Sequence, residues 1–224
     1  MKRTNPFTAI YDQCNDPRNR GDPAMLPAFP RYVDIELTNA CNFKCLMCPT
    51  GTGVAKRKKG YMSENTFEKA INELKAHRTP IRFIGWGEPL LHPELESILA
   101  TCQEHGILTH LNTNGLLLDE KMMEMFINTP LNSLKFSFQG VDRKSYREMR
   151  NRDFFNELII KIKKLHEIRG DRPYPYLHVS TTITYESAEQ VKAFREMITP
   201  HVDLVTVGRT TMEFVNPDFA TLTP

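Results

Sequence analysis

Cys41, Cys45 and Cys48 stand in the run CNFKCLMCP, three of only five cysteines in the chain. Thiolates are soft metal ligands and nucleophiles, so three of them in one short loop could do chemistry. Their spacing, Cys-x3-Cys-x2-Cys, leaves three readings open. Positions i, i+4 and i+7 share a helix face, and cysteine packs readily in a core. Pro49, Gly51 and Gly53 would stop any such helix soon after the triplet. A structural zinc takes four protein ligands, usually as two close pairs. Here there is one triplet, and Cys14 and Cys102 are far away in sequence. A cubane 4Fe–4S cluster is held by thiolates, one on each iron. Three thiolates would leave the fourth iron open to a small molecule that offers nitrogen and oxygen donors.

The elements that would position this loop follow from periodicity. Residues 31 to 41, RYVDIELTNAC, set Val33, Ile35 and Leu37 against Asp34 and Glu36, an alternation that predicts a strand. After the cysteines, SENTFEKAINELKAH places Phe67, Ile71 and Leu74 at helical spacing, with Ser63 as the N-cap. Strand and helix segments then alternate: IRFIGWGEP, HPELESILATCQEHG closing at Gly106, ILTHLNTNG, DEKMMEMFIN, LNSLKFSFQG, a helical turn in DRKSYREMR, DFFNELIIKIKKLHEIRG, YLHVSTTIT, ESAEQVKAFREMIT and VDLVTVG. About six such alternations imply an α/β fold with right-handed βαβ crossovers and a parallel sheet covered by helices. The sheet is either open and doubly wound or curved as part of a barrel; six units are too few for a closed eight-unit barrel. In both, ligands collect at the C-terminal ends of the strands. The polar clusters fall there: the cysteines after the first strand, GWGEP after the second, NTNG after the third and SFQG after the fourth.

These residues together carry a family resemblance. The triplet after the first strand, GWGEPLLHP after the second, TNG at 113–115 and SFQG after the fourth resemble the radical S-adenosylmethionine (radical SAM) superfamily, over roughly residues 31 to 208. The wording is most similar to the SPASM/TWITCH-type branch, whose members carry a cysteine-rich C-terminal extension with auxiliary clusters. No cysteine follows Cys102, so a truncated version or a minimal core is expected. The chain also departs from the family in three places. Met47 stands where an aromatic residue usually precedes the last cysteine, Trp86 replaces the first glycine of Gly-Gly-Glu-Pro, and Gln139-Gly140 ends strand four.

The resemblance implies a partial (β/α)6 TIM-like barrel holding a 4Fe–4S cluster on Cys41, Cys45 and Cys48. It implies S-adenosylmethionine as the second cofactor, cleaved to a 5′-deoxyadenosyl radical that abstracts hydrogen. The substrate is undefined: a peptide, a sugar or another small natural product. Gly87 and Glu88 match the segment that meets the methionine amino group, and an ammonium nitrogen wants such acceptors. Ser137 matches a position that bonds the carboxylate or ribose; a strand serine bonding backbone is the plain alternative. Asn114 could reach the ligand, or could simply form an Asn-Gly turn with Gly115. Arg150 and Arg209 are the candidate cations for the cofactor carboxylate. A flavodoxin- or ferredoxin-type reductant is implied as a partner. Two rival functions remain, an activating enzyme for a partner protein and a non-catalytic iron–sulfur or zinc remnant.

Composition sets bounds. At 224 residues, with 40% hydrophobic and 25% charged residues, the chain can fold as one domain. A net charge of +2 does not demand nucleic acid, and no apolar stretch is long enough to span a bilayer. The cysteine usage suits a reducing cytoplasm, and no secretion signal is visible. Residues 1–30 read as an N-terminal arm that packs loosely or lies across another surface, and 209–224 as a tail at a possible truncation point. The basic run KRKK at 56–59 reads as a solvated loop, Met122, Met123 and Met125 as core and helix surface, and His92 as a helix-start residue. His110 and His178 read as satisfied strand histidines, and Cys14 and Cys102 as plain thiols.

Overall fold

The computed structural model describes residues 3–17, 26–129 and 131–211. Six strands form one sheet: β1 (Val33–Ile35), β2 (Ile81–Phe83), β3 (Thr109–Thr113), β4 (Ser133–Ser137), β5 (Tyr176–Ile183) and β6 (Leu204–Arg209). They are parallel and lie side by side in the order of the chain. The helices are α1 (Thr8–Asn15), α2 (Pro49–Thr52), α3 (Glu64–Leu74), α4 (Leu95–Glu104), α5 (Glu120–Asn128), α6 (Arg143–Arg150), α7 (Phe155–Arg169) and α8 (Ala188–Ile198). A doubly wound sheet reverses its strand order at a switch point, and this sheet does not. Right-handed crossovers advancing in one direction keep the crossover helices on one face, the winding of a barrel. The partial barrel is therefore the architecture adopted.

Local chemistry explains the elements. Ser63 caps α3 by accepting from Thr66 N–H, and Phe67, Ile71 and Leu74 are its buried stripe. Cys102 lies in the buried face of α4 at 0% exposure. Met123 is buried on α5, with Met122 and Met125 packed at the edge of the same core. His92 accepts from Glu94 N–H through Nδ1 at 3.2 Å, just before α4, and meets the Met62 carbonyl through Nε2 at 3.0 Å. The run DRKSYREMR forms more than a turn: α6 has two full turns and a capping box between Asp142 and Ser145. On β4, Leu134 and Phe136 point into the helix-side core, while Ser133, Lys135 and Ser137 alternate onto the inner face.

Part of the arm lies across the sheet. Within it α1 forms, and Phe7 is 0% exposed, edge-on to His110 at 5.7 Å between ring centres. Tyr11 of α1 and Tyr32 flank the Arg82 guanidinium, 5.8 and 4.3 Å from their ring centres. Arg3 donates to the Arg172 carbonyl at 2.9 Å. The alternating inner face of β2 and β3 carries the polar Arg82, His110 and Asn112, and these aromatic rings pack over its lower part. Of the tail, residues 212–224 lie outside the described residues.

Phe7→Ala removes a fully buried ring and is expected to cost about 3–5 kcal/mol in urea unfolding. A loss below about 1 kcal/mol would return the arm to a loosely packed role.

Candidate functional site

At the C-terminal ends of the strands, one cavity of about 240 Å³ is lined by all seven residues singled out for cluster and cofactor, Cys41, Cys45, Cys48, Gly87, Glu88, Asn114 and Ser137. Arg150, Met47, Trp86, Asn112, Thr113 and Gln139 complete its wall. Arg209, the other candidate cation, is exposed at the end of β6 and does not line this cavity.

The cysteine loop is held from several sides. Leu46 N–H donates to the Met149 carbonyl of α6 at 2.9 Å, and Cys48 N–H to the Cys45 carbonyl at 3.2 Å. Cys48 then caps the short α2. A Cβ on Gly51 would stand 2.3 Å from the Cys45 carbonyl oxygen, so only glycine lets the chain fold back on the triplet. Burial pushes the Cys41 thiol up to about 11, opposed by the Phe43 N–H and reinforced by the Glu88 carboxylate and the other two cysteines. Among the described residues, no three His, Cys, Asp or Glu side chains converge as they would around a single metal ion.

GWGEP is stitched to the residues just before Cys41. Glu88 N–H donates to the Ala40 carbonyl at 2.8 Å, and a Cβ on Gly87 would lie 1.8 Å from the Thr38 carbonyl oxygen. The Glu88 carboxylate is buried and turned inward. Its Oε1 accepts from Thr113 Oγ1 at 2.7 Å and Leu90 N–H at 3.2 Å, and its Oε2 from Asn114 N–H at 2.8 Å. Burial raises its pKa against these hydrogen bonds and the Arg150 charge. A carboxylate has about four lone-pair sites, so one on Oε2 remains for an incoming donor. Asn114 forms the expected turn and also faces the cysteine loop. Its Oδ1 accepts from Leu116 N–H at 3.0 Å as a turn residue, and its Nδ2 donates to Asn42 Oδ1 at 2.7 Å, beside Cys41. Gly115 takes the positive φ of that turn at 77°.

Arg150 is the buried cation of the site. Its Nη1 lies 3.5 Å from Cys45 Sγ, Nη2 donates to the Ser137 carbonyl, and Nε has no partner. Among the described residues no carboxylate is within ion-pair distance of Arg150. A buried guanidinium needs a counter-charge. Cys45 stands beside it, with Cys41 and Cys48 in the same cavity wall, and Asn42 Nδ2 is likewise a buried donor with no acceptor. Thiols beside unpaired buried donors are a setting that an iron–sulfur cluster on three thiolates would fit. Thr113 and Asn42 were not legible as site residues. Thr113 sits in NTNG and Asn42 in CNFKC, but neither position shows which way its side chain turns.

The basic run is partly a solvated loop. Lys56, Lys58 and Lys59 are exposed. Arg57 instead grips Glu36 through two nitrogens at 2.5 and 3.0 Å, and Glu36 Oε1 accepts from Trp86 N–H at 2.7 Å.

Comparison with known proteins bears on this geometry. The fold matches that of Streptococcus suis SuiB bound to S-adenosylmethionine, with a TM-score of 0.70 at 20% identity over 84% of this chain and 43% of SuiB. The Radical SAM superfamily matches residues 35–198, and the chain belongs to that family. Its cofactors are therefore a 4Fe–4S cluster and S-adenosylmethionine. The chain is 25% identical to the AdoMet-dependent heme synthase of Methanosarcina barkeri, over 72% of the chain and 45% of that protein. It is 23% identical to the mycofactocin maturase MftC of Mycobacterium tuberculosis, over 77% of the chain and 44% of that protein. The chain thus spans less than half the length of these relatives. No helix among the described residues is long and apolar enough to cross a membrane.

Gly87→Ala should displace the cysteine loop and lower both iron content and S-adenosylmethionine binding, measured by iron assay and equilibrium dialysis after anaerobic reconstitution. Arg57→Ala should weaken binding several-fold through Trp86, whereas Lys56→Ala, Lys58→Ala and Lys59→Ala combined should leave it intact. Equal losses in both variants would show that charge, not the Glu36 link, matters.

Proposed function

We propose that Cys41, Cys45 and Cys48 hold the 4Fe–4S cluster and that this chain is the S-adenosylmethionine-cleaving core of a radical enzyme. The single observation carrying this reading is that the three thiols and the Gly87-Glu88 segment line one cavity, hydrogen-bonded together through Ala40. The cluster, when bound, supplies one electron that cleaves the cofactor to methionine and a 5′-deoxyadenosyl radical, which takes a hydrogen atom from an organic substrate.

The chain's own residues prepare that event. The free lone pair of Glu88 and the nearby strand-end carbonyls accept from the methionine ammonium. Glu88 cannot turn away, because Thr113, Asn114 and Leu90 fix both oxygens. Arg150 balances thiolate charge at Cys45. Ser137 Oγ, which makes no hydrogen bond among the described residues, is available to the cofactor's carboxylate or ribose. Met47 lines the cavity where a flexible thioether can pack on an adenine. The precursor peptide bound in a SuiB structure and the maturase among the relatives favour a substrate larger than the cofactor.

Reconstituted protein should carry about four irons per chain. Cys41→Ala, Cys45→Ala or Cys48→Ala should abolish the cluster, while Cys14→Ala and Cys102→Ala retain it. With dithionite and no substrate, 5′-deoxyadenosine should form slowly, vanish in Cys45→Ala and fall about tenfold in Glu88→Gln, where a charged acceptor becomes a neutral one. Stoichiometric zinc without sulfide, or binding of S-adenosylmethionine with no 5′-deoxyadenosine under reduction, would sink the proposal.

A further inference from the structure

Below the cysteine cavity, the inner face of the sheet carries a group that the cofactor chemistry does not use. Strand register places Asn112, Lys135 and His178 side by side on β3, β4 and β5. Asn112 lines the cysteine cavity, and so does Ser137, two residues further along β4 on the same face as Lys135. Two residues along a strand span about 6.6 Å. Lys135 therefore stands one pleat beneath the wall of the cavity, within reach of a molecule that fills it.

Lys135 is a half-buried ammonium without a carboxylate of its own. The acid that acts on it, Asp34, binds Arg82 through both oxygens at 2.6 and 2.7 Å. Among the described residues Lys135 makes no hydrogen bond and no ion pair. Its other neighbours add no negative charge. His110 Nε2–H donates to Asn112 Oδ1 at 2.8 Å, and its Nδ1 accepts from Ser133 Oγ at 2.9 Å, the pattern of a neutral ring. Burial, then the charge of Lys135, holds the pKa of His110 down at about 3 and that of His178 at about 4. Burial, then Arg82, lowers that of Lys135 itself. The NH2 of Asn112 is a further donor on this face. Phe7 packs on His110, two residues before Asn112 on β3, and Tyr11 lies over Arg82. A half-buried cation with no ion-pair partner, with a donor beside it, is costly unless an anion completes it.

We propose that Lys135, flanked by Asn112 and His178, is the counter-charge for an anionic group, a carboxylate or a phosphate, on the substrate held in the half-barrel. This rests on the function proposed above, which assigns the cysteine-lined cavity to the cofactor and the inner face toward Lys135 to the substrate. Such a substrate would lie with its anion on the three ammonium donors and its reacting end toward Ser137 and the cysteines. Substrates that bring an ammonium to this position are rejected by charge. The role is binding and specificity, and no bond is made or broken at Lys135.

The test is the accessibility of Lys135 to acetic anhydride in the reconstituted holoprotein, mapped by peptide mass spectrometry. Glutarate, inorganic phosphate and the neutral glutaramide are the probes, at matched concentrations. Glutarate or phosphate should slow acetylation of Lys135 about threefold or more, as expected for occupancy of most sites, without changing that of exposed Lys56. Protection by glutarate alone assigns a carboxylate, and by phosphate alone a phosphate; protection by both supports the anion class. Equal protection by glutaramide, or none by either anion, overturns the proposal. S-adenosylmethionine binding is measured on the same preparation. Loss of that binding with protection intact removes the cofactor reading and leaves the anion site.

Discussion

The site depends on one close approach, that of the Gly87 backbone to the Thr38 carbonyl, where a Cβ would stand 1.8 Å from the oxygen. That approach lets Glu88 N–H reach the Ala40 carbonyl at 2.8 Å, immediately before the first cysteine. Two loops from the ends of adjacent parallel strands thereby become one wall. The buried Glu88 carboxylate extends the wall to β3 through Thr113 and Asn114, and Asn114 returns to the cysteine loop through Asn42. A closed circuit of hydrogen bonds therefore sets the positions of the first cysteine, the acidic segment and the third strand end.

Arg150 brings a buried cation to Cys45, while burial pushes the Cys41 thiol up to about 11. Under the proposed function, thiolates on a cluster would place negative charge beside that guanidinium and replace the proton that burial keeps on the thiol. Lower on the inner face a milder imbalance recurs. Asp34 is held by Arg82, the two histidines are neutral, and Lys135 is left as the uncompensated charge.

The N-terminal segment links fold to chamber. Phe7 is buried against His110 on the inner face of the sheet, and Arg3 reaches the carbonyl of Arg172, beyond α7. Phe7 covers part of that face from a polar, proline-rich segment that reads as an arm packing loosely or lying across another surface.

What the sequence determined by itself was the periodic and the spaced. The alternation of period-2 and period-3.6 segments specified the six strands and their covering helices, because burial of one face imposes those periods locally. The thiol spacing and the Gly-Glu-Pro segment singled out loops that meet at one cavity, because short-range spacing survives folding unchanged. Residue type also separated Cys102 and the methionines of α5 from the site, since apolar faces mark core positions. Tertiary structure alone decided what depends on contacts between distant segments. It placed Arg150 rather than Arg209 against the cysteines, separated Arg57 from the lysines beside it, turned the Glu88 carboxylate toward Thr113, and set Lys135 beneath Ser137 while Arg82 holds the acid that acts on it, Asp34. None of these partners lies within one element. Each is brought into range by the register of neighbouring strands or the close packing of two loops, and no local pattern in the chain encodes which side chain will meet which.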